Sequence, residues 1–194
     1  MGNFWFYIQM GLEHVLDLDA YDHILFLAAL AVPFTFANWK KILVLATIFT
    51  IAHCASLALS VYEVLTVDVG LIEFLIPITI FFTVIHNLFH ANKVAEHRDM
   101  VLYSVATGFF GLVHGFGFSN YFKMLMAGEE EKISPLLGFA VGIEFSQILI
   151  LLAVLCMNYI VRSLFTVKQP LFTQVTSIII LLITIPMLFA TFPW

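Results

Sequence analysis

Long apolar segments with few charges constrain this chain more than any other feature of its sequence. Several of them approach the roughly 20 residues that a helix needs to cross the hydrocarbon core of a bilayer. The chain of 194 residues is 62% hydrophobic and only 11% charged. A transmembrane β-barrel would need many short segments of alternating polarity, whereas these runs are continuous. The sequence therefore predicts an all-α fold, a polytopic integral membrane bundle.

Six transmembrane helices are predicted, each long enough at about 1.5 Å of rise per residue. An aromatic stretch at residues 4–12 precedes them and would add a seventh helix if it inserted into the membrane. Asp19 is placed to cap the first span, with Asp22 three residues later as in a capping box. Short connections and the lack of repeats predict a single transmembrane domain over residues 1–194. The six predicted spans are residues 20–37, 41–62, 69–91, 100–118, 135–161 and 171–192.

The distribution of charge predicts the orientation of the bundle. Of the eight basic residues, six fall in loops on one side of the predicted bundle, and the acidic residues collect on the other side. The positive-inside rule then places both termini and the acidic side outside. The six basic residues are Lys40, Lys41, Lys93, Arg98, Arg162 and Lys168.

Other features of the composition narrow the partners and the processing. A net charge of −5 gives no reason to expect nucleic-acid binding. The N-terminus has neither the basic start nor the small-residue cleavage site of a signal peptide, so we expect it in the mature protein. Cys54 and Cys156 both lie inside apolar segments, so no disulfide framework is expected. The lipid bilayer is the expected partner of such a chain, and a homo-oligomer remains open.

Ionisable residues inside or beside the predicted spans are the candidate functional groups. Residues 14–26, HVLDLDAYDHILF, place two histidines and three aspartates directly before a lipid-buried segment. His53 lies about 13 Å inside the second span, counted from its outer end at Tyr62. His114 is near the outer end of the fourth span, and Glu144 is nine residues into the fifth. Such groups are expensive in a bilayer unless they face one another, water or a metal.

Each of these residues also has a simpler explanation. A lone intramembrane histidine such as His53 can hydrogen-bond a neighbouring helix, and Asp22 can cap its own helix. Glu144 is harder to explain, because no lysine or arginine lies in the core of any span and its partners would be histidines, a metal or its own proton. His86 and His90, four residues apart on one helix, form either a second, cytoplasm-facing metal site or a polar anchor at the helix end. His97 is interpreted as an ordinary surface histidine.

Four ordered motifs resemble the HupE/UreJ family of bacterial membrane proteins. They are GLEHVLDLDAYDHILFLAAL, FTIAHCASLALS, GLVHGFGFSNYF and GFAVGIEFSQ, which together span residues 11–147. The resemblance implies nickel or cobalt uptake for hydrogenase and urease, and a place in the inner (cytoplasmic) membrane of a bacterium. It also implies the following metal-binding residues: His14, Asp22, His23, His53, His114 and Glu144.

Two functions of different classes fit these residues. The first is a transition-metal permease that carries nickel, cobalt or zinc. Imidazole suits zinc, copper, iron and nickel about equally well, so the type of ligand does not select the metal. The alternative is an intramembrane zinc-dependent hydrolase, in which histidines hold a zinc ion and Glu144 or Asp22 is the general base. A metallochaperone-like or scaffold protein that binds metal without moving it is a third interpretation.

Overall fold

The computed structural model describes residues 2–92 and 100–193, and within these ranges the chain is helical with no strand. This confirms the all-α membrane bundle predicted from hydropathy. Lys93, His97 and Arg98 lie outside the described residues. The described α-helices are α1 (Gly2–Leu16), α2 (Asp22–Ala31), α3 (Trp39–Val61), α4 (Val69–His90), α5 (Met100–Leu125), α6 (Ile133–Phe165) and α7 (Gln169–Ala190).

Five of these helices, α3 to α7, are long and apolar enough to cross a membrane. They match five predicted spans, although α5 continues past the predicted end at Phe118 to Leu125. The prediction of one span over residues 20–37 is wrong, because α2 has only 10 residues and is followed by a separate 3₁₀ turn, Phe36–Asn38. Pro33 explains the break, since it has no N–H with which to continue the helix. The N-terminal aromatic stretch forms the 15-residue α1.

The start of α2 also differs from the prediction. Its N-terminal flanking residue is Tyr21, and no side chain caps the helix, so capping by Asp19 is wrong. The Asp19 backbone N–H instead donates to the Asp17 carboxylate at 2.9 Å, which closes a local turn. Asp22 is the first residue of the helix, and its carboxylate accepts from the His23 backbone N–H at 2.9 Å. This places the Asp22 carboxylate beside the His23 side chain.

Glycines bring α5 into direct contact with α3. A Cβ atom at Gly115 would collide with the backbone carbonyl oxygen of His53 and with the Oγ of Ser56. A Cβ at Gly111 would lie 2.6 Å from the Phe49 carbonyl oxygen. The two backbones can approach this closely only because side chains are missing at the contact. The contact holds His53 of α3 against the turn of α5 that follows His114.

A second glycine contact joins α1 to α6. A Cβ at Gly142 would lie 2.8 Å from the Leu12 backbone nitrogen and closer still to the Ile8 carbonyl oxygen. Gly11 faces it from α1, and a Cβ there would be 3.1 Å from the Gly142 Cα. This packing holds α1 along α6, and it positions His14 in the last turn of α1.

Polar contacts join the helix ends on the acidic side of the bundle. Lys123 Nζ, near the end of α5, lies 2.8 Å from Glu63 Oε1, just after α3. The hydrogen bond and charge of Lys123 lower the pKa of the exposed Glu63 carboxyl. Lys132 Nζ donates to the Val61 carbonyl at 3.3 Å, which ties the start of α6 to the end of α3. We call this side the acidic face, after its carboxylates Asp17, Asp19, Glu63, Asp68, Glu129, Glu130 and Glu131. The opposite side, with Lys40, Lys41, Arg162 and Lys168, is the basic face.

Candidate metal centre

Four histidines from four helices meet inside the bundle. His14 comes from α1, His23 from the first turn of α2, His53 from α3 and His114 from α5. The ring centroids of His14 and His23 are 4.6 Å apart, and those of His23 and His114 are 5.1 Å apart. His53 lies 5.6 Å from both His14 and His23 by the same measure. We call these four residues the histidine cluster.

Three members of this cluster, without His114, have a spacing close to that of metal ligands. One ring nitrogen from each of His14, His23 and His53 lies within 4.8 Å of the others. Tetrahedral zinc–nitrogen bonds of about 2.0–2.1 Å would bring such nitrogens to roughly 3.3 Å from one another. A shift of about an ångström or less per ring would therefore close the three nitrogens around one ion.

Five ring nitrogens of the histidine cluster are buried and have no hydrogen-bond partner. This applies to the Nε2 atoms of all four histidines and to the Nδ1 of His53 as well. His53 is fully buried, and His23 and His114 are only 3% and 1% exposed. A buried polar group left without a partner costs about 1–3 kcal/mol. Five unpartnered nitrogens at one place point to a ligand for imidazole, and the donor chemistry fits a divalent transition metal.

Hydrogen bonds select the tautomer of two of these histidines. His114 Nδ1 lies 2.8 Å from the Phe110 carbonyl oxygen, which can only accept, so Nδ1 carries the proton. His23 Nδ1 lies 3.2 Å from Asp22 Oδ1 and donates to this carboxylate in the same way. In both residues the lone pair is then on Nε2, the atom without a partner. Metal-binding histidines are typically held by such a bond from the second ring nitrogen.

Phenylalanine rings enclose the cluster. Phe118 lies against His14 with 3.9 Å between ring centroids and 34° between ring planes, and Phe139 stacks parallel to Phe118 at 5.3 Å. Phe49 contacts His23, His53 and His114, with centroids 5.4 to 6.1 Å apart. These rings offer no competing ligand and keep the surroundings apolar, which strengthens electrostatic interactions inside. Hydropathy alone does not separate them from the other phenylalanines of the chain.

One side of the cluster connects with the acidic face. His14 lines a surface pocket of about 740 Å³ that also includes Glu13, Asp17 and Tyr121. The two carboxylates lie on the exposed end of α1 and in the loop after it. A cation approaching from the acidic face would meet these carboxylates before it reached His14.

Glu144 lies outside the group of histidines with ligand spacing. Its carboxylate accepts hydrogen bonds from Thr47 Oγ1 at 2.7 Å and Thr50 Oγ1 at 2.5 Å, across the contact between α3 and α6. Gln147 Nε2 donates to Thr50 Oγ1 at 3.1 Å and extends this network. Thr50 is three residues before His53, so the carboxylate is held about one helical turn from the cluster. Thr47, which none of the four sequence motifs includes, lies one turn before Thr50 on α3.

His86 and His90 form a separate pair on α4. Their rings stack with 4.2 Å between centroids, and His90 Nδ1 donates to the His86 carbonyl at 2.9 Å. The Tyr103 hydroxyl lies 3.3 Å from His86 Nδ1. The bond from His90 to a carbonyl of the last turn fits the interpretation as a helix-end anchor. A second metal site at this pair stays a prediction.

The helices and the histidine cluster define the class of this protein: a polytopic helical membrane protein with a buried group of imidazoles that could hold a metal ion. The family model described as HupE / UreJ protein matches residues 1–191. The chain belongs to the HupE/UreJ family, as its four motifs predicted. Searches of curated proteins and of solved structures find no match.

Proposed function

We propose that this protein is a transition-metal permease that carries nickel, cobalt or zinc and binds its substrate ion at the histidine cluster. The observation that carries the proposal is the meeting of unpartnered Nε2 atoms from four different helices. The association of the HupE/UreJ family with nickel and cobalt transport supports it. Asp22 takes part by orienting His23, through the hydrogen bond to Nδ1.

Charge supports entry from the acidic face. Carboxylates there raise the local concentration of cations, and Glu13 and Asp17 extend this attraction to the pocket beside His14. In the orientation that we propose, this face and both termini are external and the membrane is a bacterial inner membrane. The ion exchanges its waters for imidazole nitrogens as it passes from the pocket into the cluster.

A permease must also release its ion, and the cluster suits this need. Neither ring nitrogen of His53 has a hydrogen-bond partner, so this ring can turn without breaking a bond. Conduction requires sites that bind well enough for entry yet weakly enough for exit. Glu144, one turn further from the acidic face, is the next cation-binding group in this proposal. The ion then leaves toward the basic face, where His86 and His90 lie near the end of α4.

Metal uptake into proteoliposomes tests the proposal. Wild-type protein, His53→Ala and Glu144→Gln are reconstituted side by side, with Ser60→Ala as a control for loss of a buried polar side chain on α3. We expect wild type and Ser60→Ala to accumulate nickel, cobalt or zinc. His53→Ala should lose both binding and uptake, whereas Glu144→Gln should bind the ion and carry it more slowly. Wild-type uptake no greater than that of empty vesicles would refute the permease.

The second candidate, an intramembrane zinc hydrolase, is favoured by the number of ligands. Three histidines and an open position are the usual arrangement of a catalytic zinc. Both carboxylates that could act as its general base are already engaged, Asp22 with His23 and Glu144 with two threonines. We therefore rank it second. Hydrolysis of a lipid amide or ester by the zinc-loaded protein, abolished by His53→Ala, would reverse this ranking.

A further inference from the structure

A polar pocket on the basic face continues into an apolar groove between α3 and α6. The pocket has a volume of about 200 Å³ and is lined in part by Thr35, Asn158 and Arg162. The groove has a volume of about 290 Å³ and is lined by apolar side chains of both helices, Trp39 and Leu152 among them. Phe36 and Leu155 line both spaces, so the pocket and the groove adjoin.

Two buried polar atoms at this pocket have no partner. Asn158 is 1% exposed and donates its Nδ2 to the Phe34 carbonyl at 2.8 Å, which leaves Oδ1 as an unpaired acceptor. The Nε of Arg162 is an unpaired donor, and no carboxylate forms an ion pair with this arginine in the part of the chain that the structure describes. The two residues are four apart on α6, so they lie on the same face of the helix. The pocket therefore presents a cationic donor beside a neutral acceptor.

The surroundings match the interface of a membrane. Trp39 and Tyr159 are 52% and 66% exposed, and such amphipathic rings are typical of the level of lipid headgroups. Lys40 Nζ lies 5.7 Å from the centroid of the Trp39 ring and adds positive charge near the mouth of the groove. From Arg162 to Ile148 the pocket and the groove together follow α6 for about 21 Å, somewhat more than the roughly 15 Å of one leaflet of the hydrocarbon core.

We propose that this pocket and groove bind one phospholipid. Its phosphate accepts from Arg162, its headgroup donates an N–H or O–H to Asn158 Oδ1, and one acyl chain lies in the groove. Basic pockets between helices on the cytoplasmic side are suited to lipid phosphates. Ethanolamine and glycerol headgroups carry the required donor, whereas choline does not. The site is thus expected to select among phospholipids by their headgroup, which a purely apolar surface cannot do.

The lipid would act on the connection between α2 and α3. Asn158 and Gln169 both donate to carbonyls of residues 32–34, the segment that follows α2. Filling the pocket satisfies the remaining atoms of Asn158 and Arg162 and so stabilises this segment against α6. The proposal rests on the basic face alone and does not depend on metal transport.

Native mass spectrometry of the delipidated full chain tests it. The protein is titrated with dioleoyl phosphatidylglycerol, phosphatidylethanolamine and phosphatidylcholine, and with glycerol phosphate as a headgroup without chains. We expect one tightly bound lipid, with glycerol and ethanolamine headgroups favoured over choline roughly tenfold, as for loss of one buried hydrogen bond. Glycerol phosphate should compete weakly, because it cannot fill the groove.

Two pairs of variants locate the site. Arg162→Gln should weaken binding of the two favoured lipids about tenfold, whereas Lys168→Gln, which removes a charge from the same face, should not. Leu152→Trp should block the groove, whereas Leu182→Trp, on the exposed side of α7, should have no effect. Circular dichroism and gel filtration in detergent check that each variant is folded. Equal binding of the three lipids, or equal behaviour within either pair, would overturn the proposal.

Discussion

Replacing Gly115 with alanine tests whether the contact between α3 and α5 positions the metal centre. The new Cβ would lie 3.0 Å from the His53 carbonyl carbon and nearer still to the His53 oxygen and to Ser56 Oγ. Carbon atoms in contact prefer about 3.5–4.0 Å, so α5 has to move away from α3 by on the order of 1 Å. His114 directly precedes Gly115, and the displacement therefore acts on a candidate ligand.

The size of the effect follows from this distance. Overpacking of a tight contact costs about 1–3 kcal/mol of stability. Metal–ligand distances tolerate only about 0.2 Å, and a displacement of α5 by roughly 1 Å moves His114 further from His14, His23 and His53, the three histidines with ligand spacing. We expect affinity for nickel, cobalt or zinc to fall roughly 10- to 100-fold, the usual penalty for losing the support of a ligand.

Calorimetric titration of the purified protein, together with the absorption spectrum of bound cobalt, measures this change. Gly108→Ala on the same helix is the matched control, because its Cβ would meet only Ile48 Cγ2, at an ordinary 3.6 Å. This control should bind metal like wild type and gain up to about 1 kcal/mol of helix stability. If Gly115→Ala keeps the affinity and the cobalt spectrum of wild type, the argument from helix contact is wrong.

Two further substitutions separate metal binding from folding. His53→Leu replaces two unpartnered buried nitrogens with an apolar side chain, so the free energy of unfolding of the metal-free protein should rise by about 1–3 kcal/mol. Nickel should no longer raise the Tm of this variant. A metal-free variant that melts at a lower temperature than wild type would contradict this. Asp22→Asn keeps an acceptor for His23 Nδ1 but removes its charge, so cobalt affinity should fall roughly 10- to 100-fold with little change in helix content by circular dichroism. An unchanged affinity would mean that the carboxylate does not orient this ring.

Hydropathy predicted the long helices well because lipid leaves a backbone no other way to satisfy its hydrogen bonds. Residues 20–37 are the exception, since the apolar run continues through Pro33 although the helix ends at Ala31. Pro33 was the sequence signal that this helix ends early. Residues 4–12 were left open between an interfacial segment and a helix, and packing against Gly142 of α6 accounts for their place in α1.

The candidate site could be predicted only as a set of residue types. His14, His23, His53 and His114 stood out because an imidazole in an apolar span needs a partner. Glu144 stood out for the same reason, but its partners are Thr47 and Thr50 on the neighbouring helix. The spacing of residues along one helix does not show which side chains of another helix they face.

The amino-acid sequence by itself determined that this chain enters a membrane as helices and carries ionisable groups there, because both follow from local solvation. Only the tertiary structure decided which of those groups meet. The histidines converge where glycines allow α3 to touch α5 and α1 to touch α6. Glu144 is held instead at the contact between α3 and α6. Such contacts depend on the order and rotation of helices around the bundle, which are set by packing between segments far apart in the chain.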